Sequence, residues 1–224
     1  MTEYIPRKVI NSRNDMEREF TLTANYFAVN HPYHINDLHS YLFVQLFSKN
    51  KVNCFQKKKV IYFTNGDYIF IRTQVSDEYI SMAVETAKIC LSKKIVAKVM
   101  VALNRSVALN TAEIEEYRNK NNCLPTGKHG KRRMNLSVDE AKMFATKALE
   151  NAGVRNIEYL SNTSGPQLKI CGFDVDTVDL EFSCDLVDPE LFKEAWLNGI
   201  GRDKIYGFGM IRINGTAHNQ SKTI

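Results

Sequence analysis

The amino-acid sequence predicts an α+β protein built from two related units in tandem. Three observations favour this class: several short segments alternate apolar and polar residues, a compact Asn65-Gly66-Asp67 turn separates two of them, and helical segments carry capping residues at their ends. With 224 residues, of which 44% are hydrophobic and 25% charged, the chain is ordinary for a globular protein and long enough for one large core or two small ones.

Six segments of the first half follow strand or helix patterns. Their order is strand, helix, strand, strand, helix, strand, which is the order of a ferredoxin-like unit. Asn36 is a candidate N-cap for the first helix, and the second helix is predicted from an apolar stripe that ends at Leu91. We assign residues 1–110 to this unit. The segments are residues 18–28, 31–48, 58–64, 68–75, 77–91 and 94–103.

The second half, residues 111–224, repeats much of this order after a polar stretch. Residues 108–136 include the run NKNNCLPTGKHGKRR and predict a mobile basic loop. A capping box at Ser137-Val138-Asp139-Glu140 then opens a helix with Phe144 among its inward positions, and this helix ends at Gly153. The later predicted elements are strands at 154–160, 167–173 and 178–186, a helix from Pro189 to Gly199, and a strand at 205–213.

Positive charge is segregated along the chain. The formal net charge is only +5, but no acid occurs from Leu38 to Gly66 or from Tyr117 to Val138, while lysines or arginines occur in both stretches. Such segregation produces a local positive potential that attracts a polyanion, and nucleic acid is the commonest polyanion inside cells. The alternative is that these basic residues only keep the surface soluble.

Several classes of protein are excluded by what the sequence lacks. The five cysteines are odd in number and none are spaced C-x-x-C, which argues against a disulfide framework and a zinc ribbon and favours a reducing cytoplasm. No run approaches the roughly 18 apolar residues of a membrane helix, so no membrane partner is expected. His31, His34 and His39 could be considered as a metal cluster, but no acid lies in metal-motif spacing with them, and no cofactor is predicted.

A glycine-rich segment near the C-terminus, GIGRDKIYGFGMIRI at 199–213, predicts backbone that adopts positive φ or lets a ligand approach closely. An anion is the expected ligand, because the glycines surround Arg202 and Lys204. A dinucleotide-binding fingerprint is excluded, since the third glycine is replaced and the order is helix, loop, strand. YGFGMIRI approaches the octamer of RNA-recognition motifs, but residues 214–224 are too few to complete that fold. The glycines are Gly199, Gly201, Gly207 and Gly209.

The spacing Gly199-Ile200-Gly201 through Gly207-Phe208-Gly209 resembles the C-terminal glycine-rich loop of the CRISPR-associated repeat-processing endoribonucleases. Two further segments point to the CasE branch of that family. ALNRSVALN at 102–110 is similar to a strand that ends in an Ala-Asn pair before a basic linker, although Leu103 separates the pair here. DLHSYLFVQLF at 37–47 is similar to the first-helix segment that carries the catalytic histidine.

This resemblance implies metal-independent cleavage of a CRISPR repeat transcript beside a stem-loop. The ribose 2′-OH would attack the adjacent phosphate and leave a 2′,3′-cyclic phosphate and a 5′-OH. The match implies that His39 is the catalytic histidine, and a neutral imidazole suits the role of base. Family members often have a tyrosine where this chain has Asn36, so Tyr33 or His34 is the candidate second partner. The alternative is that His39 is a hydrogen-bonded core histidine.

RNA contacts are expected at two places. The basic loop would bind phosphates, and Arg202, Lys204 and the glycine amides would contact the stem backbone. The alternative for the glycines is that they form a tight turn without a ligand. The resemblance implies that the protein keeps its product and joins other subunits of a CRISPR effector complex; the alternative function is a non-catalytic RNA-binding subunit. The basic-loop residues are Lys128, Lys131, Arg132 and Arg133.

Overall fold

The computed structural model describes residues 20–31, 42, 60–75, 85–125, 130–170, 173–201, 204 and 207–213. Within them it is an α+β protein, as expected from the sequence. The described elements, in chain order, are β1 (Phe20–Asn30), β2 (Val60–Thr64), β3 (Tyr68–Thr73), β4 (Glu85–Leu91), β5 (Lys94–Ala102), β6 (Asn104–Ala108), α1 (Thr111–Asn121), β7 (Lys131–Asn135), α2 (Val138–Asn151), β8 (Val154–Ser164), β9 (Leu168–Ile170), β10 (Phe173–Val175), β11 (Thr177–Leu186), α3 (Pro189–Asn198) and β12 (Arg212–Ile213).

The first sheet is antiparallel, with the strand order β2-β3-β1-β4. The predicted hairpin between β2 and β3 is confirmed: the Asn65 side chain accepts hydrogen bonds from the backbone of Asp67 and Tyr68 at 3.1 and 2.9 Å, and Gly66 has a φ of +101°. The Asn65 side chain thus forms an Asx turn at the hairpin. The predicted helix at 31–48 falls outside the described residues except for His31, which is not helical, and Leu42, which is helical and buried.

The helix predicted over 77–91 is wrong in its second half, because 85–91 forms strand β4 and pairs with β1 from Phe20 opposite Leu91 to Tyr26 opposite Glu85. The segment ETAKICL fits both periods. Ala87 and Leu91 continue a helical stripe, while Ala87, Ile89 and Leu91 also alternate with more polar neighbours. Pairing along the free edge of β1 satisfies the backbone of the segment and decides the outcome.

The second sheet is also antiparallel, with the order β12-β5-β11-β8. Strand β5 pairs with β11 from Ala102 opposite Thr177 to Lys94 opposite Asp185, so sheet membership changes between Leu91 and Lys94 and not near residue 110. In both sheets the unit's first strand lies between its third and fourth, which is the ferredoxin-like order. We therefore propose that the two units meet at residues 92–93.

The predicted loop at 108–136 is wrong over much of its length. It contains helix α1, and strand β7 pairs with β6 to form a two-stranded ribbon. The missed signal is a capping box: the Asn110 side chain accepts from the Glu113 N–H at 2.9 Å, and the Glu113 side chain accepts from the Asn110 N–H at 2.8 Å. Helix α1 buries no residue, so capping and surface contacts must stabilise it.

Two shorter corrections concern the C-terminal half. The single strand predicted at 167–173 is instead divided between β9 and β10, which pair with each other. Of the strand predicted at 205–213, the structure describes 207–213, and within these residues only Arg212–Ile213 is strand, because Gly207 and Gly209 adopt φ values of +91° and +75° that a strand cannot accommodate.

The main core combines buried residues of helices α2 and α3 and of the second sheet with Leu22 and Ala24 of the first sheet, and α3 contacts β1 and β2 of that sheet. The predicted caps of both helices are confirmed: Ser137 and Glu140 form a capping box on α2, and Asp188 caps α3 with Pro189 in its first turn. Phe144 is an exception to the predicted inward face. Its side chain is 50% exposed, with the Arg105 guanidinium 5.2 Å from its ring centroid.

Candidate nucleic-acid interface

Several predicted site residues lie outside the described residues. They are His39, Tyr33, His34, Lys128 and Arg202. Within the first predicted helix, the structure describes His31, which is not helical, and Leu42, whose side chain is buried, as the apolar stripe predicts. The roles of these five residues therefore stay predictions.

The ribbon β6–β7 presents Lys131 and Arg133 on one face. Cross-strand neighbours on an antiparallel ladder share a face, and Lys131 lies opposite Ala108 while Arg133 lies opposite Ser106. Both basic residues are exposed, and neither strand of the ribbon contains an acid. This face is therefore a compact cationic surface, which we call the ribbon face and define by Lys131 and Arg133.

Arg132 points to the opposite side of the ribbon, because successive strand residues alternate. There its Nε lies 2.9 Å from Oε1 of Glu113 on α1, in an ion pair whose side chains are 47% and 30% exposed. Arg105 shares this side and packs on Phe144 of α2. The structure thus separates the predicted basic cluster into two outward cations and one that contacts α1.

The glycine-rich segment packs largely against the protein itself. Gly199, Gly207 and Gly209 are buried. A Cβ on Gly207 would lie 2.8 Å from Cε2 of Tyr62, and one on Gly209 would overlap the backbone oxygen of Ile200. The positive φ values agree with the sequence, but what approaches these three glycines is a side chain or backbone of this chain. The tight-turn interpretation therefore accounts for them.

Gly201 differs from its three neighbours in the pattern. It has a φ of +73°, is exposed, and a Cβ there would meet no atom of the described residues within 4 Å. Lys204 is half-buried, and its ammonium donates to the Gly199 carbonyl at 3.3 Å. Among the described residues of the segment, these two are accessible to an external anion.

Backbone hydrogen bonds fix this turn. The Ile200 N–H donates to the Gly209 carbonyl at 2.9 Å, and the Gly209 N–H donates to the Met100 carbonyl of β5 at 3.0 Å. The turn is thereby attached to the central part of the second sheet, and Gly201 lies at its outer end.

Arg72 of β3 anchors the residues that follow the turn. Its side chain is fully buried, its Nη1 donates to the Tyr26 hydroxyl at 2.8 Å and to the Ile211 carbonyl at 2.9 Å, and its guanidinium lies 4.1 Å from the Trp196 ring centroid. Burial lowers the pKa of Arg72, and Tyr26 opposes this shift. Cation–π contact and two hydrogen bonds thus stabilise a buried charge. A lone arginine in the apolar run YIFIRTQV is the sequence signal that was missed.

Arg212 of β12 connects the two sheets. Its guanidinium lies 3.7 Å from the ring centroid of Phe63 on β2, and its Nη2 pairs with the Asp179 carboxylate on β11. Burial lowers the pKa of Arg212, and the charge of Asp179 opposes the shift. Glu181, on the same face of β11, lies 3.7 Å from Lys98. Asp179 and Glu181 are thus each matched by a cation of a neighbouring strand.

No family model matches the sequence, and no curated protein matches it either. Solved structures do match the fold. The CRISPR endoribonuclease Cse3 bound to a 19-nucleotide RNA aligns with a TM-score of 0.54 and 13% identity over 87% of this chain and 100% of that one. Thermus thermophilus Cse3 bound to an RNA that represents a pre-cleavage complex aligns with a TM-score of 0.53 and 16% identity, over 87% and 100%. Cas6e from Escherichia coli K-12 aligns with a TM-score of 0.54 and 13% identity, over 86% and 98%.

These alignments extend over most of both chains, so they relate the whole architecture and not one ferredoxin-like unit. In the described part of this chain, no helix is long and apolar enough to cross a membrane. The structural neighbours of this chain are the Cse3 and Cas6e CRISPR endoribonucleases, and the chain has their fold.

Proposed function

We propose that this protein is a CRISPR repeat-processing endoribonuclease of the CasE type. The observation that carries the proposal is the alignment of nearly the whole chain with solved CRISPR endoribonucleases, two of them bound to RNA. The glycine pattern of 199–209 and the cationic ribbon face support it independently, because they came from the sequence and the fold of this chain. Other subunits of a CRISPR effector complex are the proposed protein partners.

The proposed reaction is an attack of a ribose 2′-OH on the adjacent phosphate, without a metal ion. The 2′-oxygen forms a bond to phosphorus, the bond to the 5′-oxygen breaks, and the products carry a 2′,3′-cyclic phosphate and a 5′-OH. His39 is the proposed base that accepts the 2′-OH proton, and Tyr33 or His34 would donate a proton to the leaving oxygen. Cationic side chains near the phosphate would stabilise its developing charge.

The reaction is tested with a CRISPR repeat stem-loop RNA in the presence of EDTA. We expect cleavage of the RNA and no cleavage of a matched substrate with a 2′-deoxy sugar at the scissile nucleotide. His39→Ala should abolish cleavage while RNA binding persists. Cleavage of both substrates, or of neither, would contradict the mechanism, whereas normal cleavage by His39→Ala would contradict only the assignment of the base.

A second candidate function, an RNA-binding subunit without catalysis, is favoured by Asn36, which occupies the position where family members often have tyrosine. The two candidates differ in the cleavage assay and agree on binding. Protection of the stem-loop RNA without any cut, at protein concentrations that saturate binding, would establish the second.

The proposed RNA contacts are the ribbon face and the outer end of the glycine turn. Lys131 and Arg133 would contact stem phosphates, and Gly201 with Arg202 and Lys204 would approach the backbone nearby. Duplex RNA is read mainly by its shape, so these contacts should determine affinity more than sequence preference.

The double variant Lys131→Ala/Arg133→Ala should weaken RNA binding. It should also reduce the slope of log Kd against log salt concentration by about 1.4 to 1.8, because each lost phosphate contact reduces that slope by about 0.7 to 0.9. The control Lys147→Ala/Lys193→Ala removes two positive charges from helices α2 and α3 and should leave the slope nearly unchanged. Equal slopes for the two double variants would place the RNA elsewhere.

A further inference from the structure

Helix α1 and the ribbon meet at the ion pair between Glu113 and Arg132. We propose that Glu113 occupies Arg132 as an internal competitor of RNA phosphate, so that RNA gains the Arg132 contact only by displacing the Glu113 carboxylate. This inference rests on the proposed RNA-binding function of the ribbon. It assigns to α1 a role in limiting affinity.

The geometry favours competition at this pair. Oε1 of Glu113 contacts Nε of Arg132, while Oε2 accepts the backbone hydrogen bond of Asn110 in the capping box. The carboxylate is therefore fixed by the helix start and brought to the arginine by the fold. Among the described residues, Glu113 is the acid that lies within ion-pair distance of Arg132.

The exposure of the pair makes exchange possible. The Arg132 side chain is 47% exposed and that of Glu113 is 30% exposed, so a ligand can reach the guanidinium without unfolding the ribbon. An exposed ion pair changes an equilibrium by roughly up to fivefold, and an arginine fork bound to phosphate by two hydrogen bonds is a stronger contact. RNA that other contacts already hold can therefore displace Glu113.

The surroundings of the pair explain why one acid has this effect. Lys131 and Arg133 flank Arg132 in sequence and point to the other face, and no acid lies in either ribbon strand. Glu113 thus neutralises one of three adjacent cations. RNA bound to the ribbon face would contact Lys131 and Arg133 first, and it would contact Arg132, on the other side of the ribbon, only after exchange.

The test is the variant Glu113→Gln, with Glu116→Gln as its matched control. Glutamine at the third helical position still completes a capping box, so α1 should persist and circular dichroism should be unchanged. Glu116 lies on the same helix, is exposed, and loses the same charge in the control. Kd for a CRISPR repeat stem-loop RNA is measured across a series of NaCl concentrations.

We expect Glu113→Gln to tighten binding by about two- to fivefold beyond the control, as expected for an exposed pair. This advantage over the control should shrink as the NaCl concentration rises, because salt screens the exposed Glu113–Arg132 attraction that the variant removes. In an Arg132→Ala background the two glutamine substitutions should have equal effects. Equal effects in the wild-type background, or weaker binding by Glu113→Gln, would overturn the inference.

The ribbon-face double variant keeps the two failures distinguishable. If Lys131→Ala/Arg133→Ala leaves the salt slope unchanged, the ribbon is not an RNA contact and the proposed binding surface fails. If that variant weakens binding but Glu113→Gln behaves as its control does, only the competition by Glu113 is refuted.

Discussion

Gly209 and Gly201 allow a direct test of whether the glycine-rich segment is fixed by internal packing. Both have nearly the same backbone angle, with φ of +75° and +73°, but a Cβ on Gly209 overlaps the Ile200 carbonyl oxygen, whereas one on Gly201 has no atom of the described residues within 4 Å. An alanine at positive φ costs about 1 to 2 kcal/mol at either position. Gly209→Ala must also move backbone that forms two hydrogen bonds, at about 1 kcal/mol each.

The two variants should therefore differ in free energy of unfolding by about 2 kcal/mol, with Gly209→Ala the less stable. For a chain of this length that corresponds to about 4 to 8 °C in Tm. Differential scanning calorimetry of both variants and the wild type measures the Tm difference. Because both glycines have nearly the same φ, Gly201→Ala is the control for backbone strain. Equal Tm values would show that the turn is not packed as described, and would refute the internal role of the glycine.

Three further predictions concern Arg72, Ser137 and Cys184. Arg72→Lys keeps the charge but loses the planar contact with Trp196, so the emission of this single tryptophan should shift and the urea midpoint should fall; an unchanged spectrum would contradict the contact. Ser137→Ala should lower Tm by about 2 to 4 °C through loss of the N-cap. Hydrogen bonds from Ser137 lower the pKa of Glu140, so the wild type should lose this stabilisation as pH falls below 4.5, and Ser137→Ala should make thermal stability less dependent on pH there. Burial, aided by the neighbouring negative charge of Asp185, raises the pKa of the Cys184 thiol to about 12, so iodoacetamide at pH 8 should label it after denaturation and not before; rapid native labelling in peptide mapping would contradict its burial.

Local sequence signals predicted the parts of this fold that local chemistry decides. The turn at Asn65-Gly66-Asp67, the capping box at Ser137 and the Asp188-Pro189 helix start each involve residues within a few positions of one another. The signals are specific because a side-chain oxygen must accept a neighbouring backbone N–H. The equivalent capping box at Asn110 is also present in the sequence. It does not by itself predict a helix, because α1 is polar and no apolar stripe follows the box.

Period alone could not decide between strand and helix at 85–91, and it could not show that β5 belongs to the second sheet. Strand β4 fits both periods, so pairing with β1 determines its state. For β5, the partner is β11, which lies more than seventy residues later in the chain. Such choices depend on which edge remains free after the rest of the sheet has formed.

The same limit applies to the candidate site. Arg72 of the first sheet donates to the carbonyl of Ile211, 139 residues away. Arg212 of the second sheet packs on Phe63 of the first sheet. A sequence pattern can mark a lone arginine in an apolar strand, but it cannot identify a backbone carbonyl as the partner. His39, Tyr33 and His34 lie outside the described residues, so their proposed roles depend on the resemblance and on the cleavage assay.

The glycine pattern shows how a motif can support a correct fold assignment through a different physical cause. A ligand that approaches the backbone and a side chain of the same protein that does so impose the same requirement for glycine. In this chain Tyr62 and the Ile200 carbonyl impose it at Gly207 and Gly209, and the turn then holds Gly201 outward. The spacing of the glycines is therefore explained by how this segment packs where the two sheets meet. Because that junction orients the outer end of the turn, a substitution at a buried glycine should weaken the proposed RNA binding through the fold, whereas one near Gly201 should weaken it through contact.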